Sequence, residues 1–282
     1  MKRLLFVISL TYSMTSGAQT TADLPQTLPE LAAILPHLVH TQPKPFDFGP
    51  FSEAWTVALQ KNPASISAAM PVLSRDLEDP DQKVQYCTLA ILYGLELQPN
   101  GIEFLAPLSG QLAKAISTGG DQYTQSMALT TVAGLYTRAP DIEVTAIEKL
   151  LGSRPTSERV TLAAAGALMA TRPTDDVAQT SVLAVINDTG VPSQLREQLL
   201  SATASPYVGR LIVKNIIQVV NTNRDNQMRD AGIAAAIQVG SPALSGIGNR
   251  LNQIINDPSE SPASHRIAQQ ALNKITPGFH VE

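Results

Sequence analysis

The sequence predicts an all-α protein, a superhelical solenoid of about six stacked helical hairpins. Apolar residues recur at helical spacing, as in Val84, Thr88, Ile91 and Leu95, in Val208, Ile212, Ile216 and Val219, and in Leu244, Ile247, Leu251 and Ile254. Prolines at 80, 99, 140, 155, 173, 192, 206, 242 and 258 break the chain about once per helix and turn. A proline has no N–H to give and clashes with the preceding turn, so it settles between helices or in their first turn. A polar residue opens every second helix: Gln85, Gln125, Arg159, Arg196, Arg229 and Arg266, at intervals of 40, 34, 37, 33 and 37. That period is one helical hairpin long. No stretch alternates with a period of two, so strands have no support.

The chain begins as an export signal begins. Lys2 and Arg3 precede the apolar run Leu4 to Leu10, and Ser16-Gly17-Ala18 forms a small-residue cleavage site. Residues 1–18 are expected to be removed near Ala18, leaving a periplasmic or secreted protein. Losing Lys2 and Arg3 takes the formal charge from −4 to −6. Only 16% of residues are charged, against about 25% in an average soluble protein. An acidic, weakly charged chain lacks the basic footprint that phosphate binding needs, which argues against nucleic acid as a partner. The apolar runs fall short of the roughly 20 residues of a membrane span. The only cysteine is Cys87, so no intrachain disulfide is possible; beside the Val84 stripe it is expected as a small buried thiol.

Residues 19–50 are rich in proline and turn formers and are expected to form a loosely held lead-in and N-terminal cap, with a short helix from Pro29 to Leu38. Phe46, Phe48, Phe51 and Trp55 follow as an aromatic cluster. It reads either as a ligand pocket or, by preference, as a lid on the open end of the repeat core, because terminal repeats need capping for solubility. Residues 51–282 are the repeat region. Asp81, Asp121, Thr156, Thr174 and Ser193 stand where a short side-chain oxygen caps a first turn.

The segment Met70 to Leu95, MPVLSRDLEDPDQKVQYCTLAILYGL, resembles a HEAT repeat along its whole length. In that family the first helix carries a proline, the turn an Asp, and the second helix opens with Val and a basic residue. Pro71, Asp79 and Val84 match, and Gln85 replaces the basic residue. Pro107 recurs in the next unit, and Leu195-Arg196 and Met228-Arg229 keep the apolar-basic pair. Asn223 and Glu260 stand where the family has Asp, and other units show nothing equivalent. The resemblance spans most of Ala64 to Ile275 and implies an armadillo-type α-α superhelix. It also implies that the second helices line a concave binding face and that their opening arginines form a ladder of structural contacts.

Chemistry has little purchase. Neither G-x-S-x-G, S-x-x-K, H-E-x-x-H nor a phosphate-binding glycine loop occurs. His37 and His40 lie three apart, but a tetrahedral metal site needs further ligands and none is evident. Asn221, Asn223 and Asp225 mimic the start of a calcium loop, yet Asn226 stands where glycine is required, so the segment reads as a capped turn. No catalytic residue, metal ligand or cofactor is predicted. Tyr86 and Tyr93, two helical turns apart and off the Val84 stripe, either recognise a partner on the concave face or pack against the adjacent helix. The expected function is a non-catalytic scaffold holding a protein or peptide. A HEAT-like lyase or accessory enzyme subunit, and a structural component of an envelope assembly, are the alternatives.

Overall fold

The computed structural model describes residues 24–41, 47–96, 101–118, 120–155, 157–240 and 242–275, and every regular element among them is helical. The signal segment and Phe46 lie outside these residues. The chain divides into two compact units, one up to Ile91 and one from Leu92, and the boundary falls inside a helix.

The first unit holds α1 (Leu28–Thr41), α2 (Gly49–Lys61), α3 (Ile66–Asp76) and the start of α4 (Gln82–Glu96). Where it is described, the lead-in is not loosely held. Leu28, Leu31, Ala32 and Leu35 of α1 are completely buried, and α1 packs on α3 and touches α2. The 28-31-32-35 spacing makes one helical face, and Pro36 interrupts only the backbone ladder behind it. Phe51 and Trp55 are buried in this unit, with ring centroids 6.4 Å apart, and Phe48 stacks on Phe51 at 5.7 Å. They are core residues of the unit.

The clearest predicted repeat is α3, a turn and α4. The Asp79 carboxylate accepts the Asp81 N–H at 2.8 Å, Asp81 accepts the Lys83 N–H at 2.9 Å, and Gln85 Nε2 donates to the Asp79 carbonyl at 2.6 Å. The predicted stripe Val84, Thr88, Ile91 and Leu95 is buried throughout, as is Cys87, whose thiol desolvation pushes up to about 12.

The second unit holds the end of α4 and then a broken first helix, α5 (Gly101–Leu105) and α6 (Ser109–Thr118), joined by a 3-10 turn at Pro107. Its second helix is α7 (Gln122–Gly134). Four hairpins follow: α8 (Asp141–Gly152) with α9 (Glu158–Thr171), α10 (Asp176–Ile186) with α11 (Ser193–Thr203), α12 (Arg210–Thr222) with α13 (Asn226–Val239), and α14 (Gly248–Asn256) with α15 (Pro262–Ile275). First helices pack on first helices, from α6 to α8, α10 and α12, and second helices pack on second helices, from α7 to α9, α11, α13 and α15. The result is a two-layered stack in which each hairpin buries its apolar stripe against its neighbours.

Three predicted details shift by a residue or a turn. Asp175, not Thr174, caps α10 by accepting the Ala178 N–H, and Pro192, not Ser193, precedes α11. Val208 lies before α12, so the buried stripe there starts at Ile212. Asp121 caps α7 as expected, accepting the Tyr123 and Thr124 N–H groups.

One joint between hairpins is made in trans. The completely buried Gln179 of α10 accepts the Leu211 and Ile212 N–H groups of α12 at 3.0 and 3.2 Å, and the Gly209 N–H donates to the Pro173 carbonyl at 2.8 Å. Helix α12 has no cap of its own, because Gly209 offers no side-chain oxygen. A Cβ at Gly209 would collide with the Gln179 amide. Gly209→Ala is therefore expected to displace that amide, orphan the half-buried Leu211 and the buried Ile212 N–H groups and lower the stability of the second unit by about 1–3 kcal/mol. Urea titration checks this, and a change within about 0.3 kcal/mol would show that the trans cap contributes nothing.

Candidate binding surface

Tyr86 and Tyr93 both lie on α4 and both are half-buried. Two helical turns carry one about 10 Å along the helix from the other.

Four of the six residues that open the second helices form structural contacts, in three different ways, and only those of Arg159 and Arg229 run between hairpins. Gln85 and Gln125 each reach back to a carbonyl of their own hairpin, Asp79 and Ile116. Arg159 lies over the Tyr123 ring of the preceding hairpin at 4.9 Å. Arg229, only 1% exposed, spans from α13 to the next turn: its guanidinium donates to Glu260 at 2.5 and 2.8 Å and to Asp230 at 3.0 and 3.2 Å. Ser264 completes the cluster by donating to Asp230 at 2.6 Å. Burial disfavours the Arg229 charge, but the hydrogen bonds to Glu260 and Asp230 outweigh it and hold the guanidinium above its ordinary pKa. Arg266 is exposed, and Arg196 keeps a buried Nε without a hydrogen-bond partner.

The expected turn acids also need correction. Glu260 does not serve the turn; Asp257 does, accepting the Ser259 N–H at 2.9 Å, while Glu260 is the partner of Arg229. Asp188 does the same for Gly190 at 2.8 Å in a turn where no equivalent was expected, and Asn223 does it for Asp225 at 2.9 Å. The calcium-loop mimic is a turn, with Asp225 capping α13 through the Gln227 N–H. His37 and His40 are exposed, and His40 Nε2 sits 3.4 Å from the Asp81 carboxylate. Among the described residues no group of three or more His, Cys, Asp or Glu side chains could hold a metal ion. No described helix is long and apolar enough to cross a membrane.

What the surface does offer is an edge. Six large apolar side chains are exposed among the described residues: Val57, Tyr123, Tyr136, Ile142, Val177 and Tyr207. Four of them gather where the second unit passes from one hairpin to the next. Tyr136 (63% exposed) stands between α7 and α8, Ile142 (55%) in the first turn of α8, Val177 (63%) in the first turn of α10, and Tyr207 (71%) just before α12. Because α8, α10 and α12 are neighbours in one layer, these positions fall along one side. Arg172 reaches back to Asp141 and Arg210 back to Asp176, each at 2.8 Å, so the apolar groups alternate with paired charges. Tyr136 is held at φ 50°, a conformation rare for a bulky residue.

No protein family and no curated protein matches the chain. Some solved structures resemble it. Two engineered proteins from the Northeast Structural Genomics Consortium are 16% and 19% identical, with TM-scores of 0.49 and 0.45; the alignments cover 87% and 73% of this chain and 68% and 96% of theirs. Kap121p is 14% identical with a TM-score of 0.46, over 90% of this chain and 30% of its own length. At these scores the architecture rests on the hairpins themselves, with Pro71, Asp79 and Val84 in their expected places and helices stacked layer on layer. The fold is HEAT-like. A HEAT-like fold fixes which surfaces repeat, and what they hold is a separate matter.

Proposed function

We propose that this protein is a non-catalytic scaffold that binds a protein or peptide outside the cytoplasm, in the periplasm or beyond, after removal of residues 1–18. The observation that carries the reading is the edge of Tyr136, Ile142, Val177 and Tyr207, spread over three consecutive hairpins. Tyrosine combines area with a polar tip and dominates many binding surfaces. The paired charges between them, Arg172 with Asp141 and Arg210 with Asp176, leave the edge near neutral and suit an uncharged, partly apolar segment better than a polyanion. Tyr86 and Tyr93 on α4 are the second proposed contact, on the helix that the HEAT resemblance assigns to the binding face. Lys2, Arg3 and the small residues before Gln19 support export.

The test compares three mature proteins as bait in envelope extract: wild type, Tyr136→Asn/Tyr207→Ala and Tyr86→Ala/Tyr93→Ala. Asparagine is chosen because it tolerates the left-handed backbone of position 136. A central tyrosine is worth about 2 kcal/mol, roughly a thirtyfold loss in affinity for each one removed. A partner captured by wild type and lost by one double variant assigns the surface. A partner held equally by all three, or none at all, overturns the reading.

A further inference from the structure

Glu143, the third residue of α8, is completely buried in the first-helix layer, where α8 packs on α6. Neither carboxyl oxygen has a hydrogen-bond partner. The nearest help is the Ser109 hydroxyl at the start of α6, whose proton goes instead to the Ala106 carbonyl at 2.7 Å. No cation stands in for it. Lys114 on α6, Glu158 and Arg159 on α9 and Asp176 on α10 are all exposed, and on α8 itself Asp141 and Lys149 are exposed and Glu148 half-buried. Arg172, after α9, is committed to Asp141 and to the Ala139 carbonyl.

A carboxylate in such a place would be an unpaired buried charge, whereas the neutral acid fits with only its hydrogen bonds unmet. We propose that Glu143 is a proton-operated latch on the α6–α8 joint: protonated, it lets the first turn of α8 seat against α6; ionised, it draws water in and opens that turn. The reaction is a simple acid dissociation, with the proton released to solvent. The inference stands apart from any binding role for the edge, although Asp141 and Ile142 belong to the same turn.

Desolvation pushes the Glu143 carboxyl from 4.5 up to about 7. Between pH 4.5 and 7 the folded chain keeps a proton that the unfolded chain has lost, so stability falls as pH rises through that window and levels off above it. The expected size is a decrease on the order of a hundredfold in the folding equilibrium constant.

The experiment is hydrogen exchange of the Val144 to Ile147 amides from pH 4.5 to 8, corrected for intrinsic rates, in wild type and Glu143→Gln, together with direct NMR titration of the Glu143 carboxyl in wild type. Expected are a titration midpoint near neutrality and protection at the start of α8 that fades as the pH rises from about 4.5 to 7 and levels off above it in wild type, and is independent of pH in the variant. A carboxyl that titrates in the ordinary range near 4.5, or the same pH profile in both proteins, overturns the proposal. Should the variant fail to fold, the wild-type titration still decides.

Discussion

Arg229→Met lowers the stability of the second unit by about 3–5 kcal/mol. The substitution roughly keeps the side-chain volume, so the cost is electrostatic. Glu260, tucked against α13, loses both hydrogen bonds from the guanidinium, while Asp230 keeps only the Ser264 hydroxyl. A buried carboxylate without its cation is what makes removal of one partner so costly, whereas replacing the whole pair by apolar residues is often neutral. Arg229→Met/Glu260→Leu is accordingly expected to recover most of the loss. Urea titration at neutral pH measures both, and hydrogen exchange in α15 locates the damage, since the pair fastens the final hairpin to α13. A single variant within 1 kcal/mol of wild type, or a double variant worse than the single, would show that the pair does not hold the joint.

Phe51→Ala removes about 3–5 kcal/mol from the first unit. Phe51 is buried between Phe48 and Trp55, and deleting its ring leaves a void that two stiff aromatic neighbours fill poorly. The loss is confined to one unit. Trp55 is the chain's only tryptophan, so its fluorescence reports the first unit alone. The midpoint of the fluorescence transition is expected to fall in Phe51→Ala, while exchange protection in α9 and α13 stays unchanged. Trp55→Phe should cost much less, because the indole N–H is buried without a partner and its removal relieves an unmet donor.

The helices and their pairing were legible because proline spacing and apolar stripes are local signals, and Met70 to Leu95 carries nearly every feature of its repeat in sequence order. The turn acids were half legible. Asp79 announces itself through Pro80, whereas Asp188 and Asp257 serve their turns with a single oxygen two residues before the N–H, a pattern common to many surface loops. Glu143 reads in sequence as an acid welcome at the positive end of a helix; only the approach of α6 makes it buried. Glu260 looked like a turn residue because its partner Arg229 is 31 positions away. The exposed edge was invisible for the opposite reason: Tyr136, Ile142, Val177 and Tyr207 belong to no common stripe and become neighbours only when hairpins stack. The structure leaves Tyr86 and Tyr93 half-buried, as an intermediate position on α4 requires.

The Gln179 amide that finishes α12 has a consequence for how such an array can grow. A hairpin copied from Arg210 onward would arrive with the Leu211 and Ile212 N–H groups unmet, because the acceptor stays behind in the preceding copy. A viable duplication has to start upstream, early enough to include Gln179 and the Pro173 carbonyl. At this joint the segment that must be copied is thus longer than the unit of architecture by one whole hairpin.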